Sequence, residues 1–352
     1  MKTLQSILGP IVPVDRSLEP EIRLHLDRLT KPVGSLGILE DLAARYCLVS
    51  NTTTPRLGKK RVVVFAGDHG VAVEGVSAFP SEVTPQMVYN MLAGGAAINV
   101  LTRHLDADLQ VVDIGVADPL QLASGLVRRK VRHGTENLSQ GPAMREEEAL
   151  QAIQVGVELA HLAARDGVNL LGAGEMGIAN TTASSALYAC LLPCPVEDVT
   201  GPGTGVDRET LQNKVRIIEQ ALQKNAHNLT DPFRSLAAVG GLEIAGICGL
   251  ILGAAGRRLP VVIDGFVSSA AALVALRLCS SVSDYLFFSH CSTEPGHRTF
   301  FRHLGLRPIL DLDMRLGEGT GAALAMYIIE SAVKIYNEMA TFQSAGVSGK
   351  AE

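Results

Sequence analysis

The sequence predicts an α/β protein: a doubly wound parallel sheet of about six strands, with a small helical domain assembled from the two chain ends. Three observations predict it. Short β-branched apolar runs alternate with longer helical patterns through the middle of the chain, the signature of successive β–α–β units. Nearly all the strand-like runs are apolar without alternation, as strands covered on both faces are. At 352 residues, 47% of them apolar, the chain can bury one large α/β domain and a smaller one beside it.

The chain opens with two short amphipathic helices in "PEIRLHLDRLTKPVGSLGILEDLAARYCLV", broken by a Pro/Gly turn. Leu24, Leu26 and Leu29 precede the break, and Leu36, Leu39, Leu42 and Ala43 follow it at helical spacing. A polar linker over 51–57 leads to the first strand, "KRVVVFAGD" at 60–68. A helix is then expected over 84–105, a strand over 108–116, a helix over 145–167 and a strand over 168–174. Two more helices, 181–192 and 208–226, precede a Gly-rich apolar helix within 235–258. Strands at 259–265, 284–290 and 307–313 complete the sheet. The last helix, 320–342, is long enough to leave the sheet and return to the N-terminal helices. This places a large domain at 58–318 and a small helical domain at 1–57 plus 319–352, with no internal repeat of fixed period.

Charge and composition exclude several classes of function. A formal net charge of −5 and the absence of a long basic run argue against nucleic-acid binding; the one basic cluster, "VRRKVR" at 127–132, reads as an exposed strand or turn. The six cysteines are scattered, mostly in apolar runs, and form no CxxC, the pattern of reduced core thiols in a cytosolic protein. The N-terminus, with Pro10 and Pro13 interrupting a short apolar patch, is a poor signal peptide. The stretch 235–258 is long enough to span a bilayer, but it carries Glu243 and separate glycine clusters and runs straight into the strand "LPVVIDG". A helix packed on the sheet is the better reading, so a cytoplasmic protein without a membrane anchor is expected.

In such sheets ligands sit at the carboxyl ends of the strands. Several strands here end in glycine-bearing loops, "GDHG" (67–70), "GAGEMG" (172–177), "DGF" (264–266) and "SHCSTEPGH" (289–297). Glycines there admit a ligand close to the backbone, and helix N-termini can hold a phosphate, so a phosphorylated small molecule is the expected ligand. "GAGEMG" fits the dinucleotide fingerprint, follows a strand and opens a helix, with Glu197 and Asp198 some 20 residues on. Against that reading stand Glu175, an anion where a pyrophosphate would approach, and the motif's position midway along the chain. Asp68, His69, His290, Cys291, Glu294 and His297 suggest a zinc site, but no pair has closed-site spacing, and no metal is expected. No P-loop and no G-x-S-x-G elbow occurs.

Three glycine-flanked carboxylates remain: Glu175, Asp264 and Glu318. Each could be a simple turn residue, yet Glu is a poor turn former, and two of the three are Glu. Carboxylates beside phosphate-holding loops suit glycosidic bond cleavage, in which the sugar becomes oxocarbenium-like and an attacking group sheds a proton.

The segments "RLTKPVGSLGILEDLA", "GDHGVAVEGVSAFPSEVTPQMVYNMLAGGAAINVL", "GAGEMGIANTT", "GPGTGVD", "VVIDGFVSSAAAL", "SHCSTEPGH" and "DMRLGEGTGAALAM" together resemble the nicotinate-nucleotide–dimethylbenzimidazole phosphoribosyltransferases. The likeness runs in order from Leu29 to Met326. It implies a Rossmann-like large domain, a homodimer, no cofactor, and two small-molecule substrates, nicotinate mononucleotide and 5,6-dimethylbenzimidazole. It places the general base at Glu318, where the adjoining helix N-terminus favours the anion and an apolar pocket disfavours it. Glu175 and Lys214 fall on further catalytic positions, Glu175 stabilising the oxocarbenium or holding the ribose hydroxyls. Ser81 and Gln86 fall where the benzimidazole pocket is lined. Gly177, Asn180, Thr181, Gly203, Asp264, Gly265, Ser292, Arg315 and Leu316 fall among the remaining substrate contacts. Two rival readings stay open on the residues alone: a nicotinamide-dependent dehydrogenase, and a nucleotide sensor without turnover.

Overall fold

The computed structural model describes residues 3–121, 124–203 and 205–348. Six parallel strands form one sheet: β1 (Lys59–Gly67), β2 (Ala107–Gly115), β3 (Leu126–Arg128), β4 (Val168–Met176), β5 (Val261–Ile263) and β6 (Leu286–Phe288). Their order is β3-β2-β1-β4-β5-β6, the doubly wound arrangement in which strand order reverses between β1 and β4. Val62, Val63, Val64 and Phe65 of β1 are all fully buried, because helices cover both faces of the sheet.

The sixth strand is not the expected one. Segment 307–313 runs beside the extension of β6 but makes only one bridge, His290 to Leu310, and Pro308 has no N–H to continue the ladder. The sixth place is taken at the other edge by β3, which begins the basic run. The cations of that run are spent locally: Lys130 pairs with Asp113 at 3.2 Å, Arg129 with Glu158 at 3.2 Å, and Arg132 with Glu136 and Glu148.

Two expected helices are each broken in two by paired glycines. The first splits into Val83–Leu92 and Ala97–Leu105, because Gly94 has φ +83° and stops the first piece. Asn99 then starts the second piece, its Oδ1 accepting from Ala96 N at 3.0 Å while its Nδ2 donates to Met91 O at 2.8 Å. The Gly-rich helix splits into Pro232–Val239 and Leu242–Ala255 at Gly240–Gly241. The last helix ends at Glu338, four residues short of the expected end.

Every residue of Leu242–Ala255 is buried. Gly249 and Gly253 face helix Glu146–Arg165 so closely that a Cβ on Gly249 would lie 2.0 Å from Ile153 O, while Gly246 packs on the sheet. Close helix packing thus accounts for the hydrophobicity of this stretch, and no helix among the described residues is long and apolar enough to cross a membrane. At the chain ends, Leu29 bridges Thr341, Thr30 N donates to Ala340 O at 2.9 Å, and His25 Nε2 lies 2.7 Å from Tyr336 O. All six cysteines are free thiols.

Candidate active site

A cavity of about 360 Å³ opens at the carboxyl ends of β4, β5 and β6. Four helices start around this end of the sheet: Asn180–Leu191, Phe266–Leu278, Pro295–Leu304 and Thr320–Glu338. Helix N-termini favour an anion at this end, although the last of the four is already capped by the Asp264 carboxylate.

The cavity is displaced from the reversal point between β1 and β4, and glycines explain why. A Cβ on Gly177 would lie 2.3 Å from Gly67 O, so the ends of those two strands are pressed together. A Cβ on Gly174 would lie 2.6 Å from Gly319 N and 2.8 Å from Glu318 O, so the turn before the last helix lies directly on β4. The glycines of "GAGEMG" therefore admit other parts of this chain rather than a pyrophosphate, and Gly172 and Gly174 lie within the strand itself. The dinucleotide reading loses its structural basis.

Glu318 stands in that turn. Gly317, Glu318 and Gly319 have φ of +82°, +62° and +86° in succession, a left-handed run that a glutamate rarely adopts. The ordinary capping task for the last helix falls to another residue: Asp264, just after β5, accepts from Gly319 N and Ala322 N, each at 2.9 Å. Glu318 is thereby left to line the cavity. Burial, and then the negative charge of Asp264, raise its pKa to about 7. The opposition between the apolar pocket and the helix N-terminus resolves in favour of a weaker acid.

Glu175, at the end of β4, shares the cavity wall. Its carboxylate accepts from Asn180 Nδ2 and abuts Gly317, where a Cβ would meet Oε1 at 2.3 Å. Complete burial, with Asp264 and Glu243 adding repulsion, raises its pKa to about 8. Neighbouring carboxylates cannot all be charged in so dry a place, so near neutrality Glu175 holds a proton and Glu318 is poised to ionise.

A more polar end of the cavity lies between the Asn180 and Pro295 helices. Lys214, 1% exposed, donates to Thr181 Oγ1 at 2.8 Å and to Gly201 O at 3.2 Å. Its burial lowers its pKa to about 8. Arg315 Nη1 donates to Gly203 O at 2.9 Å, and Gly203 N donates to Glu294 Oε1 at 2.8 Å. Ser292 is fixed by His297, whose Nδ1 accepts from Ser292 N at 2.9 Å; burial depresses that imidazole to about 3, so it is neutral.

Of the residues expected at the site, Glu318, Glu175, Gly177, Asn180, Thr181, Gly203, Gly265, Ser292, Arg315 and Leu316 line the cavity. Lys214 lies just behind Thr181 and Gly203, and Asp264 lies behind the Glu318 turn. Ser81 and Gln86 are exposed and do not line it. From their segment come Phe79, Val83 and Met87 instead, four apart in sequence; Val83 and Met87 share one helix face, and Phe79 lies in the loop before it. That apolar spacing was a signal available in the sequence. Met176, Ile178, Phe266, Val267, His290 and Glu294 also line the cavity. His290 is 1% exposed, and neither ring nitrogen has a hydrogen-bond partner among the described residues. Those residues also contain no cluster of His, Cys, Asp and Glu fit to hold a metal ion.

A doubly wound sheet with helix N-termini, an apolar slot and two buried carboxylates at its carboxyl edge suits a nucleotide-handling transferase. A family model described as "Phosphoribosyltransferase" matches residues 11–347. Proteins named nicotinate-nucleotide–dimethylbenzimidazole phosphoribosyltransferase are similar over nearly the whole chain. That of Chlorobaculum tepidum is 62% identical over 346 residues, 98% of each chain. That of Geobacter sulfurreducens is 55% identical over 348 residues, 99% of each. The crystal structure of CobT from Thermus thermophilus superposes with a TM-score of 0.91 at 49% identity, covering 95% of this chain and 99% of that one. The chain belongs to the nicotinate-nucleotide–dimethylbenzimidazole phosphoribosyltransferase family.

Proposed function

We propose that this enzyme moves the 5-phosphoribosyl group of nicotinate mononucleotide to 5,6-dimethylbenzimidazole, giving α-ribazole 5′-phosphate and nicotinate for cobalamin assembly, with Glu318 as general base. The observation that carries this reading is the Glu318 carboxylate, held in a left-handed turn on the wall of a cavity that it shares with Glu175 and an apolar slot. The relatives' names supply the substrates.

In the reaction, one benzimidazole nitrogen gives its lone pair to C1′ of the ribose while the other loses its proton to Glu318. The C1′–N bond to nicotinate breaks, and its electron pair returns to the ring nitrogen, neutralising the pyridinium. That makes a good leaving group, so no acid is needed to expel it. Attack opposite the departing base inverts C1′, turning a β-nucleotide into an α-product. A base poised near neutrality suits the proton transfer, and Glu318 raised to about 7 meets that condition.

Phe79, Val83, Met87, Met176 and Leu316 wall the heterocycle's slot. Ser81 and Gln86 border that segment from outside the cavity. Protonated Glu175, with Asn180, suits holding ribose hydroxyls better than stabilising a cation. The phosphate belongs at the polar end, near Gly177, Thr181, Gly203, Gly265, Ser292 and Arg315, with Lys214 supplying charge from behind. We place the site on a large unit, 58–318, with 1–57 plus 319–352 as a smaller helical unit, on the support of the Leu29–Thr341 bridge. We assign the working enzyme to the cytoplasm as a homodimer without cofactor, metal or nucleic-acid partner.

The experiment is chromatography of nicotinate and ribazole phosphate after mixing the enzyme with its substrates. Nicotinate release that requires both nucleotide and benzimidazole is expected. Binding of the nucleotide without any release in the presence of benzimidazole would favour a sensor and overturn the reading.

A further inference from the structure

We propose that Asp264 is a positioning residue: it clamps the turn 317–319 against the sheet and thereby aims the Glu318 carboxylate into the cavity. This rests on Glu318 being the base, and it gives Asp264 a part other than touching substrate.

The geometry is specific. Asp264 follows β5 and is 1% exposed, and it is absent from the cavity lining. Its two oxygens go to two different N–H groups, Oδ2 to Gly319 and Oδ1 to Ala322, each at 2.9 Å. Those donors flank the start of the last helix, so one carboxylate ties the turn and the first helical residues to a strand end. The strand end is itself anchored, since Ser289 Oγ donates to Asp264 O at 2.5 Å. The clamp has something to resist. Three successive left-handed residues, one of them a glutamate, form a backbone that persists only when its surroundings over-determine it. Gly174 receives the turn from one side, and Asp264 holds it from the other.

The same carboxylate reaches Glu318 electrostatically. Asp264 is the one neighbour charge that raises Glu318, and it is also the leading neighbour charge on Glu175. His290 faces Asp264 across Gly321, where a Cβ would meet both side chains; burial raises the Asp264 pKa, and His290 and the N–H donors of the turn oppose that rise. Glu175 and Glu243, the latter paired with His69 at 2.6 Å, are further titratable groups on this side. When ionised, Asp264 makes Glu318 a stronger base than burial alone would.

The test measures kcat, KM for the nucleotide and the acid limb of kcat/KM in wild type, Asp264→Asn, Asp264→Glu and Glu318→Gln. Asp264→Asn turns one acceptor into a donor facing an N–H and removes the charge. Its kcat should fall on the order of 100-fold, the cost of a misplaced catalytic group, with KM for the nucleotide held within about twofold. Its acid limb should move to lower pH. Asp264→Glu keeps the charge but cannot keep both contacts, so its kcat should fall with the limb left in place, and it decides the matter if the Asn variant does not fold. A raised KM at unchanged kcat, in either variant, would make Asp264 a substrate ligand and overturn the inference. An unmoved limb in folded Asp264→Asn would do the same. Glu318→Gln separates the two levels: full activity in that variant removes the base, and the inference with it, whereas loss of activity there beside an unaffected Asp264→Asn sinks the positioning role alone.

Discussion

At the scale of the residue, the site is a small set of carboxylates whose surroundings push their proton affinities up together. Glu175 is held up at about 8 and Glu318 at about 7, both first by burial. The consequence for stability has a definite sign. A carboxyl whose folded pKa lies above its unfolded value favours the fold fully below the unfolded value, and that favour is lost as pH rises through the folded one. For Glu175 the window runs from the ordinary 4.5 up to about 8. Glu175→Gln keeps an oxygen for Asn180 and has no charge to bury. It should therefore melt higher than wild type at pH about 9 and show much less advantage at pH about 5. Thermal denaturation across that range checks this, and an advantage independent of pH would contradict it. Lys214 is the mirror case, a buried cation pushed down to about 8, with Glu294 opposing the shift.

At the scale of the element, glycines decide where helices stop and where the site can form. Gly94 and the Gly240–Gly241 pair break two helical patterns that apolar periodicity alone would run together. Gly174 matters most for function, because a Cβ there would strike the backbone of Glu318 and Gly319 from within 2.8 Å. Gly174→Ala should leave the sheet folded and displace the base, costing on the order of 100-fold in turnover. Gly141→Ala is the control, since a Cβ at Gly141 meets nothing within 4 Å, and its activity should be unchanged. Circular dichroism and steady-state rates read both outcomes, and equal rates for the two variants would contradict the argument. The strands β1 and β4 were legible from their apolar runs, and β2 from its apolar, β-branched second half. The edge was legible only in part: the basic run, which reads as an exposed strand or turn, does begin in β3 but is not counted among the expected strands of the sheet, while 307–313 looks apolar enough to pair and is stopped by Pro308.

At the scale of the whole molecule, the chain brings its distant parts to one end of one sheet. Glu175 arrives on β4, Asp264 follows β5, His290 follows β6, and Glu318 comes at the start of the helix that returns to the N-terminal segment. The carboxylates could be picked out in the sequence because glycine flanks each of them. Their division of labour could not, because it depends on which oxygen meets which N–H across 55 residues of chain between Asp264 and Gly319. The apolar wall was missed for a different reason: Phe79, Val83 and Met87 carry no chemistry of their own, so their regular spacing did not mark them as part of a site. The central claim is that Glu318 takes the proton of the incoming heterocycle. The most direct measurement is turnover of Glu318→Gln with both substrates, set beside its affinity for nicotinate mononucleotide. The account predicts a loss of about 10²–10⁴-fold in nicotinate release, as for removal of a general base, with nucleotide affinity retained. Turnover within about twofold of wild type, across the pH range where Glu318 titrates, would contradict it.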